Sequence, residues 1–313
     1  MRKRFLAGII GIALGGAALT ATGDATASPV VDGCPVFPAN NPWNTDIWST
    51  SRYPVHSHSS RIIANINAGG NRLLHADFGG GGAYGIPFVT VGNATRTWPI
   101  VYTEYGDESD PGPFPIPRNS PVEGGSSSSG DRHVIVVQRG ACKLFELYRA
   151  FWRGNRWEAD SGATWRLRTN ELRPRGWTSA DAAGLPIFPG LARCEEVESG
   201  AIRHALRVTF ERTRKGWVSP ARHYASSSTD SSRPAMGMRL RLRANYDISR
   251  FHGQARIVLV ALKKYGLMVA DNGSNWFITG AAEQCWDDDD LNQLKHVPGS
   301  AFEVVYTGRV VTE

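Results

Sequence analysis

The chain has 313 residues, a formal net charge of +6, four cysteines and ten tryptophans, a length that suits one large domain or two modest ones. The charge is thin and no recognition motif accompanies it, which argues against nucleic-acid binding. No cysteine pair has C-x-x-C spacing, which argues against a zinc ribbon or a thioredoxin-type centre.

Residues 1–27 read as an export signal. Arg2, Lys3 and Arg4 precede an apolar run over 5–19, and Ala25-Thr26-Ala27 offers a small-x-small cleavage site. The run is shorter than the roughly 20 residues of a membrane span. The expected mature chain is therefore secreted, is cleaved after about Ala27, and has no membrane partner. The signal carries three bases and Asp24, which leaves +4 on residues 28–313. That mild balance admits an anionic polymer partner and equally reflects an arginine-rich composition. Export makes disulfides accessible, so Cys34, Cys142, Cys194 and Cys285 are expected to form two, with all three pairings open.

Residues 34–60 are irregular and rich in proline, and 60–67 predict a short helix with Ile62, Ile63 and Ile66 on one face. The four-glycine run 79–82 lacks a following Lys-Ser/Thr and reads as a flexible loop, not a phosphate loop. Strands are predicted over 86–91, 97–103, 133–138, 144–152 and 157–167, with Arg139-Gly140 turning a hairpin. The proline- and serine-rich stretch 107–130 is a long loop of the kind that often covers a site. A short helix is expected over 179–184, capped by Thr178 or Ser179 with Asp181 at its positive end.

Strands follow at 201–210 and 236–246. In the second, Met238, Leu240, Leu242 and Ala244 alternate with Arg239, Arg241 and Arg243, which predicts an arginine row on a solvated face, able to track a polyanion. Residues 254–265 form the clearest helix, stopped by Gly266. Strands 267–271 and 275–279 flank Asn272-Gly273 as a hairpin, Asp287 to Asp290 open a last short helix, and 301–307 close with a strand. Short strands outnumber helices and no βαβ alternation occurs. The expected fold is mainly β (β-rich α+β), an antiparallel sandwich or barrel with a few short helices, in a single domain over 28–313.

Certain stretches carry unusual polar residues: Asn41-Pro42-Trp43-Asn44-Thr45, Tyr84-Gly85-Ile86-Pro87, Asp131-Arg132-His133, Gly176-Trp177-Thr178-Ser179-Ala180-Asp181, Pro220-Ala221-Arg222-His223 and Ala270-Asp271-Asn272-Gly273. Together they resemble a family of exported bacterial proteins of unassigned activity. The resemblance spans nearly all of 28–313. It implies one continuous unit, with 107–130 inside it, and carries no reaction with it.

Two chemistries fit the residue types. A glycoside hydrolase needs two carboxylates across a cleft, one neutral and one ionised; Glu146 is the leading acid/base, with Glu196 or Asp271 as partner. Glu146 lies between Phe145 and Leu147 and should point away from whichever face they bury. A polysaccharide lyase needs a base and a cation to neutralise a uronate carboxyl; His133, His204, His223 and Tyr224 are candidate bases, and Arg222 a candidate cation. Trp177 and Arg132 are further substrate-binding candidates. The G-x-S-x-G elbow and H-E-x-x-H are absent, and His56-x-His58 and the aspartates 287–290 are weak metal patterns, so no metal and no cofactor is assigned. The expected function is that of a secreted enzyme on an extracellular or cell-wall polysaccharide, a hydrolase or a lyase; the alternative is a non-catalytic glycan- or wall-binding protein. Convergence of Glu146, His204 and His223 in one cleft would favour catalysis.

Overall fold

The computed structural model describes residues 28–312; the stretch read as an export signal lies outside them. The described chain is mainly β, at 25% strand and 16% helix, and no sheet among the described residues closes into a barrel. The apolar runs of Leu206–Phe210 and Leu267–Asn272 pair in parallel at the centre of a six-stranded sheet. Its order is Phe302–Val305, Arg239–Leu242, Leu267–Asn272, Leu206–Phe210, Phe277–Thr279, His75–Asp77. A four-stranded sheet runs Ser161–Arg166, Lys143–Tyr148, Val134–Gln138, Phe88–Val91. Both sheets mix parallel and antiparallel pairs, so the layers are sandwich-like without being purely antiparallel.

The smaller sheet is buried on both faces. Ile135, Val137 and Leu144 join the main core with the large sheet, while Val134, Val136, Phe145 and Leu147 enclose a second core. A three-stranded sheet, Ile100–Tyr102, Trp157–Ala159 and Phe151–Trp152, contributes Trp157 and Ala159 to that second core. Helix Gly253–Lys264 buries Val258, Leu259 and Leu262 in the main core, and helix Ser59–Asn67 buries the expected Ile62, Ile63 and Ile66. The Ser59 hydroxyl accepts the Val304 N–H at 2.8 Å, tying that helix to the edge strand. No helix among the described residues is long and apolar enough to cross a membrane.

Several local expectations are overturned, each by a long-range competitor. Residues 179–184 are not helical: Ser179 Oγ accepts the Asp181 N–H and donates to the Leu185 carbonyl, and the Ala183 N–H is taken by the Ala270 carbonyl. The strands on either side of Asn272-Gly273 do not form a hairpin, because Leu206–Phe210 inserts between them and pairs with both. The arginine row is not a solvated strand face: only Arg243, beyond the end of the strand, is exposed. Arg239 and Arg241 are buried, the first donating to the carbonyls of Pro42 and Tyr265, the second to the Ile47 carbonyl and the Glu303 carboxylate. That strand is interior to the sheet, so its alternation sorts two covered faces. The glycine run is an ordered turn: all four φ angles are positive, and the Gly80 N–H donates to Asp288 Oδ1 at 2.9 Å.

The cysteines pair as Cys34–Cys142 and Cys194–Cys285, spanning 108 and 91 residues. Each closes a long loop, and in the chain-entropy account each stabilises by roughly 2–5 kcal/mol. The Cys34→Ser/Cys142→Ser double variant should therefore unfold at distinctly lower urea concentration with an unchanged far-ultraviolet spectrum. An unchanged midpoint would show that this bridge does not constrain the unfolded chain.

Candidate functional site

Strand alternation puts Leu206, Val208 and Phe210 into the core and leaves Arg207 and Thr209 on the opposite face of the large sheet. A register shift between Val208 and Thr209 skips Ala270, so Asp271 stands opposite Thr209 instead of opposite Phe210. This bulge re-aims Asp271 from the core to the polar face. The irregular segment before the large sheet brings Asp181 to the same place.

Arg207 organises these groups. Its Nε and Nη2 hold the two oxygens of Asp181, each at 2.8 Å; Nη1 donates to Thr279 Oγ1 at 2.9 Å, and Nη2 reaches Asp271 Oδ2 at 3.2 Å. Asp181 and Arg207 are almost wholly buried. Burial opposes the Arg207 charge, but Asp181 outweighs it and the guanidinium is held more firmly protonated than usual. Asp271 keeps a quarter of its side chain exposed. Desolvation, then the Asp181 carboxylate beside it, push the Asp271 carboxyl up to about 7, against the pull of Arg207.

These residues open on a cavity of about 280 Å³ that Asp131, Tyr148, Ser179, Asp181, His223 and Asp271 help to line. His223 Nδ1 donates to the Ala182 carbonyl at 2.7 Å, which fixes the tautomer of the neutral ring and leaves the Nε2 lone pair free. The ring lies parallel to Tyr224, which in turn stacks on Trp217. His133 lies behind the pocket wall. Its Nδ1 meets Glu123 Oε2 at 2.6 Å and its Nε2 meets the Ala180 carbonyl at 3.0 Å. Both partners accept, so both nitrogens donate. Burial works against this imidazolium, but the Glu123 carboxylate overrides it and raises His133 to about 9. Glu123 comes from the long loop 107–130, so that loop lies behind the pocket and reaches its wall through His133. Glu123, Asp131 and His133 bring ligand atoms within 4.8 Å of one another, yet a doubly donating His133 has no lone pair for an ion or for general-base work.

The other residues singled out from sequence lie elsewhere. Glu146 is fully buried and faces the main core, where its carboxylate accepts the N–H groups of Ile187 and Phe188 at 2.8–3.1 Å. Desolvation raises it to about 7 despite those bonds. Glu196 is equally enclosed: Arg193 Nη2 at 2.6 Å and His204 Nε2 at 3.0 Å hold its Oε1, and together with Arg193 they outweigh burial and lower its pKa. His204 Nδ1 is taken by the Ala205 carbonyl. Neither residue lines the cavity, so Glu146, His204 and His223 do not converge. Arg222 donates to the Arg173 carbonyl, the Arg173 guanidinium lies over Trp177, and Arg132 gathers the carbonyls of Ser126, Ser128 and Ala150. Of the proposed site residues, His223 and Asp271 line the pocket, and His133 and Tyr224 support it. Asp181, Arg207 and Glu123 were missed. An arginine inside the otherwise apolar Leu206-Arg207-Val208 run was the available signal, since a buried guanidinium demands an acid.

Comparison with protein families, curated proteins and solved structures finds no match to this chain.

Three buried groups hold protons in the folded state that the unfolded chain would release: Asp271 from 3.8 up to about 7, Glu146 from 4.5 to about 7, and His133 from 6.5 to about 9. Within each interval the native state binds more protons, so stability falls as pH rises. Glu123 and Glu196 act oppositely, their contribution being lost as pH falls through their lowered values. Thermal unfolding between pH 4 and 9 should show its highest midpoint near the acidic end. Glu146→Gln should flatten the decline below pH 7. A midpoint that climbs steadily from pH 5 to 8 would contradict these assignments.

Proposed function

We propose that this protein is an extracellular glycan hydrolase whose centre is the Asp271–His223 pocket. The observation that carries the reading is the geometry of the pocket: the Asp271 carboxyl at its surface shares the Arg207 guanidinium with the buried Asp181, and His223 lines the same cavity. Acid–base hydrolysis requires one group that donates a proton and one that accepts it, both facing the same bond. Asp271 donates its proton to the leaving glycosidic oxygen as the anomeric C–O bond breaks. His223 Nε2 removes a proton from the attacking water, whose oxygen bonds to the anomeric carbon. Exchange with solvent then returns the proton to Asp271 and takes one from His223. Asp181 and Arg207 are positioning residues that set the Asp271 protonation state.

Charge weighs against the lyase reading. Arg207 is committed to Asp181, Asp271 and Thr279, and aspartates line the cavity, so among the described residues no free cation faces a uronate there. The separation of Glu146 and His204 from the pocket favours the second reading, a glycan-binding protein without turnover. One experiment separates them. The purified protein is incubated with neutral, amine-bearing and uronate polysaccharides, and both reducing ends and unsaturated uronates are measured. Hydrolysis should release reducing ends only, decline as pH rises through about 7 as Asp271 loses its proton, and fall roughly 100-fold or more in Asp271→Asn and in His223→Ala. Products that persist in both variants would overturn the site; no products on any polymer would leave the binding reading.

A further inference from the structure

A second cavity of about 320 Å³ lies at the edge of the large sheet, lined by His75, Asp77, Tyr84, Phe277, Asp288 and Lys295 among others. His75 and Phe277 are partners on neighbouring parallel strands, and their rings stack at 4.5 Å and 9°. Tyr84 is two-thirds exposed, and its ring packs over Gly80, where an added Cβ would meet it at 2.7 Å. The ordered glycine turn therefore presents an aromatic face to solvent.

The two cavities lie on one face of the large sheet. Phe277 is the register partner of Thr209, and Thr209 of Asp271, so His75, Phe277, Thr209 and Asp271 form a single row across four adjacent strands. Partners in register share a face, and three interstrand steps make the row about 14 Å long. Thr209, partly exposed, lies between the two ends. The charge along it is lopsided. Asp77 and Asp288 at one end and Asp131 at the other face a single lysine, Lys295, whose Nζ donates to Asn292, while Asp181 is paired with Arg207.

We propose that this row binds an extended glycan carrying protonated amino groups, with one sugar at Asp271 and a distal sugar ring on Tyr84 beside the His75–Phe277 stack. The aromatic end supplies ring stacking, the carboxylates of Asp77, Asp288 and Asp131 select the ammonium charge, and the distance between the ends demands a chain instead of a single sugar. The inference rests on the hydrolase reading only for the identity of the Asp271 end.

Isothermal titration at pH 6 tests it with a glucosamine hexamer, a glucosamine dimer, an N-acetylglucosamine hexamer and a galacturonate hexamer. The amine-bearing hexamer should bind at least about tenfold tighter than the dimer and than either other hexamer, and its affinity should weaken with salt. Tyr84→Ala, at a position two-thirds exposed, should cost the hexamer about fivefold to tenfold and leave the dimer and the thermal midpoint unchanged. Equal binding of dimer and hexamer, equal binding of the acetylated or uronate chain, or indifference to Tyr84→Ala would overturn the proposal. Tight, Tyr84-dependent binding without bond cleavage would keep the groove and remove the hydrolase. Cleavage without amine preference or Tyr84 dependence would do the reverse.

Discussion

The buried pair between Arg207 and Asp181 is the interaction on which the site depends. Two parallel N–H···O bonds fix the guanidinium plane, and its remaining donors are then directed at Thr279 and Asp271. A planar fork of this kind leaves little freedom to the groups it touches. Four segments distant in sequence are drawn to one point: the irregular stretch containing Asp181 and three neighbouring strands of the large sheet. Removing one partner of such a pair strands the other charge in the interior, at a cost of roughly 3–5 kcal/mol. The pair therefore couples the stability of the sheet to the electrostatic state of the pocket.

The remaining buried ionisable groups support the same region from behind. His133 joins the loop 107–130, through Glu123, to the pocket segment, through Ala180. Glu146 collects the N–H groups of Ile187 and Phe188 just downstream. Each satisfies backbone or carboxylate groups that an irregular segment would otherwise leave unpaired between two sheets, which explains how 178–187 stays largely buried without regular secondary structure. The segment is held by side chains from other elements, and that is why its own helical signals were outcompeted.

Elements governed by local periodicity were legible in the sequence. The helix Ser59–Asn67 with its isoleucine face, the helix ending before Gly266 and the Asp287 cap each depend on residues within a few positions of one another. His223 and Asp271 were legible as polar residues in unusual settings. Their assembly was not. Asp181 is 26 residues from Arg207, and Thr279 is 72. The bulge that turns Asp271 out of the core is a one-residue shift in pairing that alternation alone does not encode. Glu146 misled for a related reason: alternation places it opposite Phe145 and Leu147, but both faces of its strand are covered.

Composition and pattern by themselves determined a β-rich chain, short helices at named places, cysteines in number for two disulfides and a set of unusual polar residues. These follow from side-chain period, turn chemistry and residue counts, all of which act over short distances. The tertiary structure alone decided which cysteines pair, which arginines are buried, that Leu206–Phe210 separates two strands that read as a hairpin, and that Asp271 and His223 share a cavity. Those outcomes depend on strand order and register, which are set by packing two sheets against one core and by finding a partner for every buried charge.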